Sequence, residues 1–252
     1  MEPRRTIVAA VQFAPSLLNV EKNLAMAQQH VFEAAAKGAK IVVLPELCAS
    51  GYVLRSKAEA ASVAQERDGY QTEAFVPLAK KFGCKVIFGY VELREGKLYN
   101  SAAVIGPSGL EANIQKHNLW GSDSLWASQS EGIFPVVTTD AGRLGVLICR
   151  DAMNNYRESY KFYKAESKFY KRGSVDTIAL LTNWGNDYGY PDNSWMELAE
   201  ETGANVIVSN RVGEERDLKF KGGSCVIDRS RKVWTHGSSF TEAAVVGGVV
   251  LL

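Results

Sequence analysis

The sequence predicts an α/β fold built on mixed β-sheets, and three observations carry that reading. Short apolar runs rich in β-branched residues recur along the chain, as in TIVAAVQF, AKIVVL and RLGVLI. Between the first two lies an Ala-rich stretch with apolar residues at Val20, Leu24, Ala27, Val31 and Ala34 or Ala35, which is helical spacing. Several later strands adjoin across turn residues and read as hairpins, so a purely parallel sheet does not fit.

Taken in order, Thr6 to Phe13 is a buried strand closed by Pro15. Asn19 to Lys37 is a helix, with Gly38 at its C-cap, and Ala39 to Leu44 is the next strand. This is a strand–helix–strand unit. Ser56 to Phe82 is mostly helical and stops at Gly83. Lys85 to Leu93, Leu98 to Gly106 and Leu110 to Gln115 are strands separated by the turns at Glu95-Gly96 and Pro107-Ser108-Gly109. Arg143 to Ile148 is an apolar strand that ends at Cys149. Asn155 to Lys171 reads as a charged, aromatic helix. Thr177 to Leu181 and Val206 to Ser209 are strands on either side of a helix from Ser194 to Glu201. Glycine-bounded strands near Gly222 to Asp228 and Gly247 to Leu252 complete the chain.

With 252 residues, 46% hydrophobic and 23% charged, the composition is that of a globular protein, read as one domain over 1–252. The formal net charge of +1 gives no bulk signature of nucleic-acid binding. The apolar run Ile7 to Val11 is too short for a signal-peptide core, and no stretch approaches the ~20 apolar residues of a membrane helix. Cys48, Cys84, Cys149 and Cys225 are scattered, which suits reduced thiols in a cytoplasmic protein. There is no GxGxxG after a strand, no P-loop and no metal-spaced His or Cys cluster, so no cofactor and no metal are expected.

Reactive groups follow three apolar strands, where open α/β sheets place their sites. Glu46 follows Leu44-Pro45. If buried, it becomes a usable base near neutral pH; otherwise it is a solvated loop carboxylate. Lys116 ends Asn113-Ile114-Gln115. It is either an exposed lysine or a fixed cation for a developing oxyanion. Cys149 ends Gly145-Val146-Leu147-Ile148. It is either a small buried hydrophobe or a nucleophile presented at a sheet edge. Of His30, His117 and His236, His117 alone sits at a convincing strand end, so a Cys–His pair stays open beside a Cys–Glu–Lys set.

The stretches VVLPELCASGY, IQKHNLW and GVLICRD together resemble the three signature segments of the nitrilase, or carbon–nitrogen hydrolase, superfamily. Their separations fit as well: 70 residues from Glu46 to Lys116 and 33 from Lys116 to Cys149. Flanking matches at AAVQFAP, GYVELREGKLYNSAAVIGPSG, TNWGN and NRVGEERDLKFKGGSCVID extend the resemblance over nearly the whole chain. The resemblance implies a four-layer α-β-β-α sandwich with helices on the outer faces. It implies hydrolysis of a non-peptide carbon–nitrogen bond without a cofactor. Cys149 would be the nucleophile, Glu46 the general base and Lys116 the oxyanion stabiliser, with the backbone N–H after Cys149 as second donor.

Three features depart from the family pattern. Members often carry a second glutamate seven or eight residues after the lysine that helps position the substrate and the lysine; here the shorter Asp123 stands seven residues on as the candidate for that role. Arg150 takes the place of an aromatic residue after the cysteine. The helix after Cys149 is also longer than in compact relatives, and is expected to shape the pocket rim or a subunit contact. Tyr52, Trp120, Trp184 and Asn186 lie just beyond strand-end motifs and are candidate pocket walls, equally placed to be core. Arg150, Arg211 and Lys219 could supply a cation for a substrate carboxylate.

The leading expectation is an amidase acting on a small aliphatic amide through a thioester. An N-carbamoyl amidohydrolase, a nitrilase and a binding protein of the same fold that has lost turnover are the alternatives. The expected partners are a small-molecule amide or N-carbamoyl substrate and a second copy of the chain in a homodimer or higher homo-oligomer, with no nucleic acid and no membrane.

Overall fold

The computed structural model describes residues 5–139, 142–153, 170–185, 193–236 and 244–251. Two six-stranded mixed sheets dominate it. The first contains β1 (Arg5–Gln12), β2 (Ile41–Val43), β3 (Lys85–Arg94), β4 (Lys97–Gly106), β5 (Gly109–Gln115) and β14 (Ala244–Leu251), in the order β14-β1-β2-β3-β4-β5. The second contains β6 (Val137–Thr139), β7 (Gly142–Ile148), β8 (Thr177–Thr182), β9 (Asn205–Asn210), β12 (Cys225–Ile227) and β13 (Val233–His236), in the order β13-β12-β9-β8-β7-β6. Each sheet has a parallel centre, β1-β2-β3 and β7-β8-β9, flanked by antiparallel pairs.

The central strands read as continuous apolar runs because both of their faces are covered. On β1 and β2, Val8, Ala10, Ile41 and Val43 join a core shared with Val146, Ile148, Ile178 and Val206 of the opposite sheet. The alternate residues Ala9, Val11, Val42 and Leu44 pack in a second core beneath α1 (Val20–Ala36) and α4 (Val76–Phe82). Against the second sheet, α6 (Asn193–Thr202) buries Trp195, Leu198 and Ala199. Sheets face to face with helices outside are the expected α-β-β-α layers.

The single helix expected over Ser56 to Phe82 is three short ones: α2 (Lys57–Val63), α3 (Tyr70–Glu73) and α4. The break has a local cause. Gln65 leaves the helical path to bridge Glu92 of β3, with Gln65 N donating to Val91 O at 3.1 Å and Leu93 N to Gln65 O at 2.8 Å. Helical spacing over Ser56 to Phe82 does not reveal a strand-like contact made with a segment far along the chain. Gly83 does close α4, in the left-handed region at φ 57°.

The helix expected at Asn155 to Lys171 falls outside the described residues except at its end. Tyr170 and Lys171 are not helical there. The Tyr170 hydroxyl instead accepts from Val146 N at 2.8 Å and donates to Pro135 O at 2.8 Å. A short hairpin, β10 (Val212–Glu215) and β11 (Leu218–Lys221), was not expected as a separate element. Nor were β6, β13 and the one-turn α5 (Asp123–Trp126). Among the described residues no helix is long and apolar enough to cross a membrane.

Candidate active site

The ends of β2, β5 and β7 deliver Glu46, Lys116 and Cys149. Beyond β2 the chain holds register for one more residue, Leu44 N donating to Ile87 O at 2.8 Å, then turns at Glu46. That turn lies against Gly89 of β3. A Cβ at position 89 would sit 2.3 Å from Leu47 N and 2.8 Å from the Glu46 Cα, so glycine there is what lets the Glu46 turn approach the sheet. Lys116 follows β5 directly and its N–H donates to Asn100 O at 2.8 Å. Cys149 has φ 48°, in the left-handed region that a non-glycine residue rarely occupies. It opens a short 3-10 helix, Cys149–Ala152, so the strand path breaks at the sulfur-bearing residue.

Below Cys149 lies a sealed charge cluster. Lys116 Nζ donates to Glu46 Oε1 at 2.6 Å and to Asp123 Oδ2 at 2.6 Å, and all three side chains are 0% exposed. Asn100 Nδ2 bridges the two carboxylates, 2.8 Å from Glu46 Oε1 and 3.1 Å from Asp123 Oδ1. Asn183 Nδ2 holds Glu46 from the other side, 2.9 Å from its main-chain oxygen and 3.2 Å from Oε2. Glu46 Oε1 thus takes two strong donors, and Oε2 one long contact.

Two carboxylates share one ammonium in a dry site, and the electrostatics follow from that. Burial raises the Glu46 carboxyl above its ordinary range, with the Asp123 charge adding to the rise and Lys116 opposing it. Burial works against the Lys116 ammonium, but Asp123 and Glu46 outweigh it and hold the lysine charged. The Cys149 thiol is raised well above its usual value, by burial first and then by the Glu46 charge. Lys116 and the Asn183 backbone N–H pull the other way. Burial also lifts Asp151 to about 7, although Lys116 and the backbone N–H groups of Asn118 and His117, at 2.8 and 3.2 Å, lower it. These two bonds tie the turn after Cys149 to the loop after Lys116.

A cavity of about 570 Å³ opens above Cys149. Cys149, Asn183, Tyr52, Trp120, Trp184 and Phe220 are among its lining residues, whereas Glu46, Lys116 and Asp123 lie beyond the lining. Arg150 lines it too, with its guanidinium 3.6 Å from the centroid of the Trp120 ring. One wall is the β10–β11 hairpin, which is clamped in place. Glu215 Oε1 accepts from Tyr52 N and Val53 N at 2.8 and 2.5 Å, and Arg211 Nη1 donates to Glu215 Oε2 at 2.5 Å.

Of the sequence-derived candidates, Glu46, Lys116 and Asp123 come into direct contact. Cys149, Tyr52, Trp120, Arg150 and Trp184 border the cavity. Asn186 lies outside the described residues. Arg211 is not a cavity cation: its guanidinium is buried against Glu215 and stacks 4.3 Å from the Phe220 centroid. Lys219 does line the cavity, and pairs with Glu214 at 2.7 Å. The His117 ring stacks on Phe134 at 4.2 Å. Among the described residues no group of His, Cys, Asp and Glu is arranged to hold a metal ion.

Sequence reasoning missed Asn100 and Asn183. Asn183 carried a usable signal, since it directly follows the apolar strand β8, as Glu46, Lys116 and Cys149 follow theirs. Asn100 carried a fainter one, a lone amide inside an otherwise hairpin-like strand.

Residues 7–250 match the family model for carbon–nitrogen hydrolases. The chain is 35% identical over 246 residues to the hydrolase in the pqqF 5′ region of Pseudomonas protegens, covering 95% of this chain and 81% of that one. It is 29% identical over 245 residues to a nitrilase of Pyrococcus abyssi, covering 97% and 89%. In structure it is similar to an amidase from Nesterenkonia sp., with a TM-score of 0.80 at 21% identity, covering 100% and 90% of the two chains. The chain belongs to the carbon–nitrogen hydrolase family.

Proposed function

We propose that this chain is an amidase that converts a small carboxamide to a carboxylic acid and ammonia, with Cys149 as nucleophile, Glu46 as general base and acid, and Lys116 as oxyanion donor. The observation that carries this reading is the buried Glu46–Lys116–Asp123 cluster beneath a cysteine held at φ 48° beside a cavity. The amidase from Nesterenkonia sp. shares the fold, and it supports the choice of amide as substrate class.

Glu46 Oε2 takes the thiol proton, because Oε1 is occupied by Lys116 and Asn100. The sulfur adds to the amide carbonyl carbon, and the carbonyl oxygen becomes an oxyanion. An ammonium has three N–H donors; two of those on Lys116 are committed to carboxylates, and the third is the one for the oxyanion. The Arg150 backbone N–H is the second donor. The carbon–nitrogen bond then breaks as protonated Glu46 gives its proton to the nitrogen, releasing ammonia and leaving a thioester. Glu46 next takes a proton from water, whose oxygen attacks the thioester. The carbon–sulfur bond breaks, the acid leaves, and Glu46 returns its proton to the sulfur, which restores the Cys149 thiol and the Glu46 carboxylate. Asp123 reaches Lys116 at the same 2.6 Å as Glu46, so the shorter side chain still holds the lysine, which argues against a protein that has lost turnover.

Ammonia release from a panel of small amides and N-carbamoyl compounds tests the proposal. Wild-type protein releases ammonia from an aliphatic amide, and Cys149→Ala releases none. Release that survives in Cys149→Ala overturns the assignment of the nucleophile, and carbon dioxide accompanying the ammonia replaces the amidase reading by a carbamoylase.

A further inference from the structure

The Asn183 side chain presents two different ends. Its Nδ2 faces two acceptors, the Glu46 main-chain oxygen at 2.9 Å and Glu46 Oε2 at 3.2 Å. A carbonyl oxygen accepts only, so these contacts fix which end of the amide is nitrogen. Oδ1 is therefore turned away from Glu46, and among the described residues it is a buried acceptor with no donor. Buried polar atoms are nearly always satisfied, and one that is not calls for an explanation. Asn183 is 6% exposed, lines the cavity, and its own backbone N–H reaches the Cys149 sulfur. Glu46 and Lys116 are more deeply sealed than Asn183 and do not line the cavity, whereas Asn183 does.

We propose that Asn183 Oδ1 accepts a hydrogen bond from the N–H of the scissile carboxamide, and that this contact makes the site select amides over nitriles and over ketones of the same acyl group. The inference rests on the amidase reading above and deepens it. A carboxamide bound with its carbon at Cys149 and its oxygen toward Lys116 has its nitrogen left to place. The nitrogen must lie near Glu46, which protonates it, and Asn183 is the residue that brackets Glu46 from the cavity side. The chemistry also sorts substrates. A carboxamide brings two N–H donors, while a nitrile and a methyl ketone bring none and leave Oδ1 unpaired. A site built to bond an N–H discriminates strongly against analogues that lack it.

Because Nδ2 also orients Glu46, an Asn183 variant lowers kcat for either reason, so binding is the diagnostic readout. In Cys149→Ala protein, dissociation constants are measured for the best amide of the panel and for the methyl ketone of the same acyl group. The amide binds about tenfold or more tightly, a factor set by one net hydrogen bond to a buried partner. In Cys149→Ala/Asn183→Leu that preference falls at least fivefold. A preference unchanged within twofold overturns the assignment. Should the leucine variant not fold, Asn183→Ala in the same background gives the same comparison. With no variant at Asn183, wild-type kcat/KM for the amide exceeds that for the matching nitrile by at least a hundredfold, and comparable values overturn the proposal. Failure of the amidase reading is separate and shows as no Cys149-dependent ammonia release from any amide.

Discussion

Replacing Lys116 by methionine keeps most of the side-chain volume and removes the charge at the centre of the site. The ammonium sits 2.6 Å from a carboxylate on each side, with no exposure of any of the three side chains. In Lys116→Met the two carboxylates face each other with Asn100 Nδ2 as their remaining shared donor. Breaking a buried ion pair by removing one partner costs ~3–5 kcal/mol, because the other charge stays buried and uncompensated. The protein escapes part of that cost by taking up a proton. A carboxyl whose folded pKa lies above its unfolded value is protonated more readily in the folded state. Its contribution to stability is complete below the unfolded pKa and is lost as pH rises through the folded one. The deficit relative to wild type is therefore largest near pH 8 and shrinks toward pH 5, by at most ~1.4 kcal/mol per pH unit for each proton. Urea unfolding of both proteins at several pH values measures it, read as a shift in midpoint at constant slope. An equal deficit at pH 5 and pH 8 would refute the argument, since it would mean that no carboxylate had lost its counter-charge. Under the proposed function, activity in the variant falls by ~10²–10³ at least, the usual loss for one oxyanion donor.

Two further substitutions probe the supports of the site. Gly89→Ala forces a Cβ against backbone atoms of Leu47 and Glu46 at 2.3 and 2.8 Å, so the Glu46 turn must lift off the sheet. Stability falls by ~1–3 kcal/mol, as for other overpacked positions; kcat falls with it, and a variant with wild-type stability and kcat would show that the turn is not held by this contact. Asp151, lifted to about 7 by burial, is protonated more readily folded than unfolded, so it costs the wild type stability as pH rises from about 4 to about 7. Asp151→Asn keeps an oxygen for the Asn118 and His117 N–H groups and abolishes that dependence. The stability difference between the two proteins then changes by up to ~1.4 kcal/mol per pH unit across this window, and parallel curves would show that Asp151 does not titrate there.

The layers of the fold were legible because the central strands are short, apolar and β-branched, and because α1 and α6 carry helical spacing. Two of the departures depend on partners distant in sequence. Gln65 abandons a helix to bridge Glu92, and β10–β11 stands apart because Glu215 reaches back to Tyr52 and Val53. Site geometry divides in the same way. Glu46, Lys116 and Cys149 stood out as candidates because each follows an apolar run and the separations match a family. Arg211 was misjudged from sequence because its charge is visible there, while the Glu215 carboxylate that neutralises it is recognisable only once the chain turns between β9 and β10. Asn100 was invisible for the opposite reason: an amide in a strand has no charge or reactivity to mark it, and its importance comes from standing between two carboxylates that lie 77 positions apart in the chain.

The charge balance of the cluster bears on how Cys149, as the proposed nucleophile, acts without histidine. A Cys–His pair activates its sulfur by making it a standing thiolate beside an imidazolium. In this site one ammonium faces two carboxylates, so the surroundings of Cys149 are net negative, and both burial and the Glu46 charge hold the sulfur as a neutral thiol. Under the proposed function, proton transfer to Glu46 and attack on the carbonyl are then coupled. The negative charge of Glu46 passes, through the sulfur's electron pair, to an oxygen held by Lys116, and Glu46 becomes neutral at the same moment. Each change relieves the cluster: the lysine gains an oxyanion where it loses a full carboxylate charge, and the like-charge repulsion between Glu46 and Asp123 disappears. Asp123, 2.6 Å from the ammonium, keeps the lysine charged through this exchange.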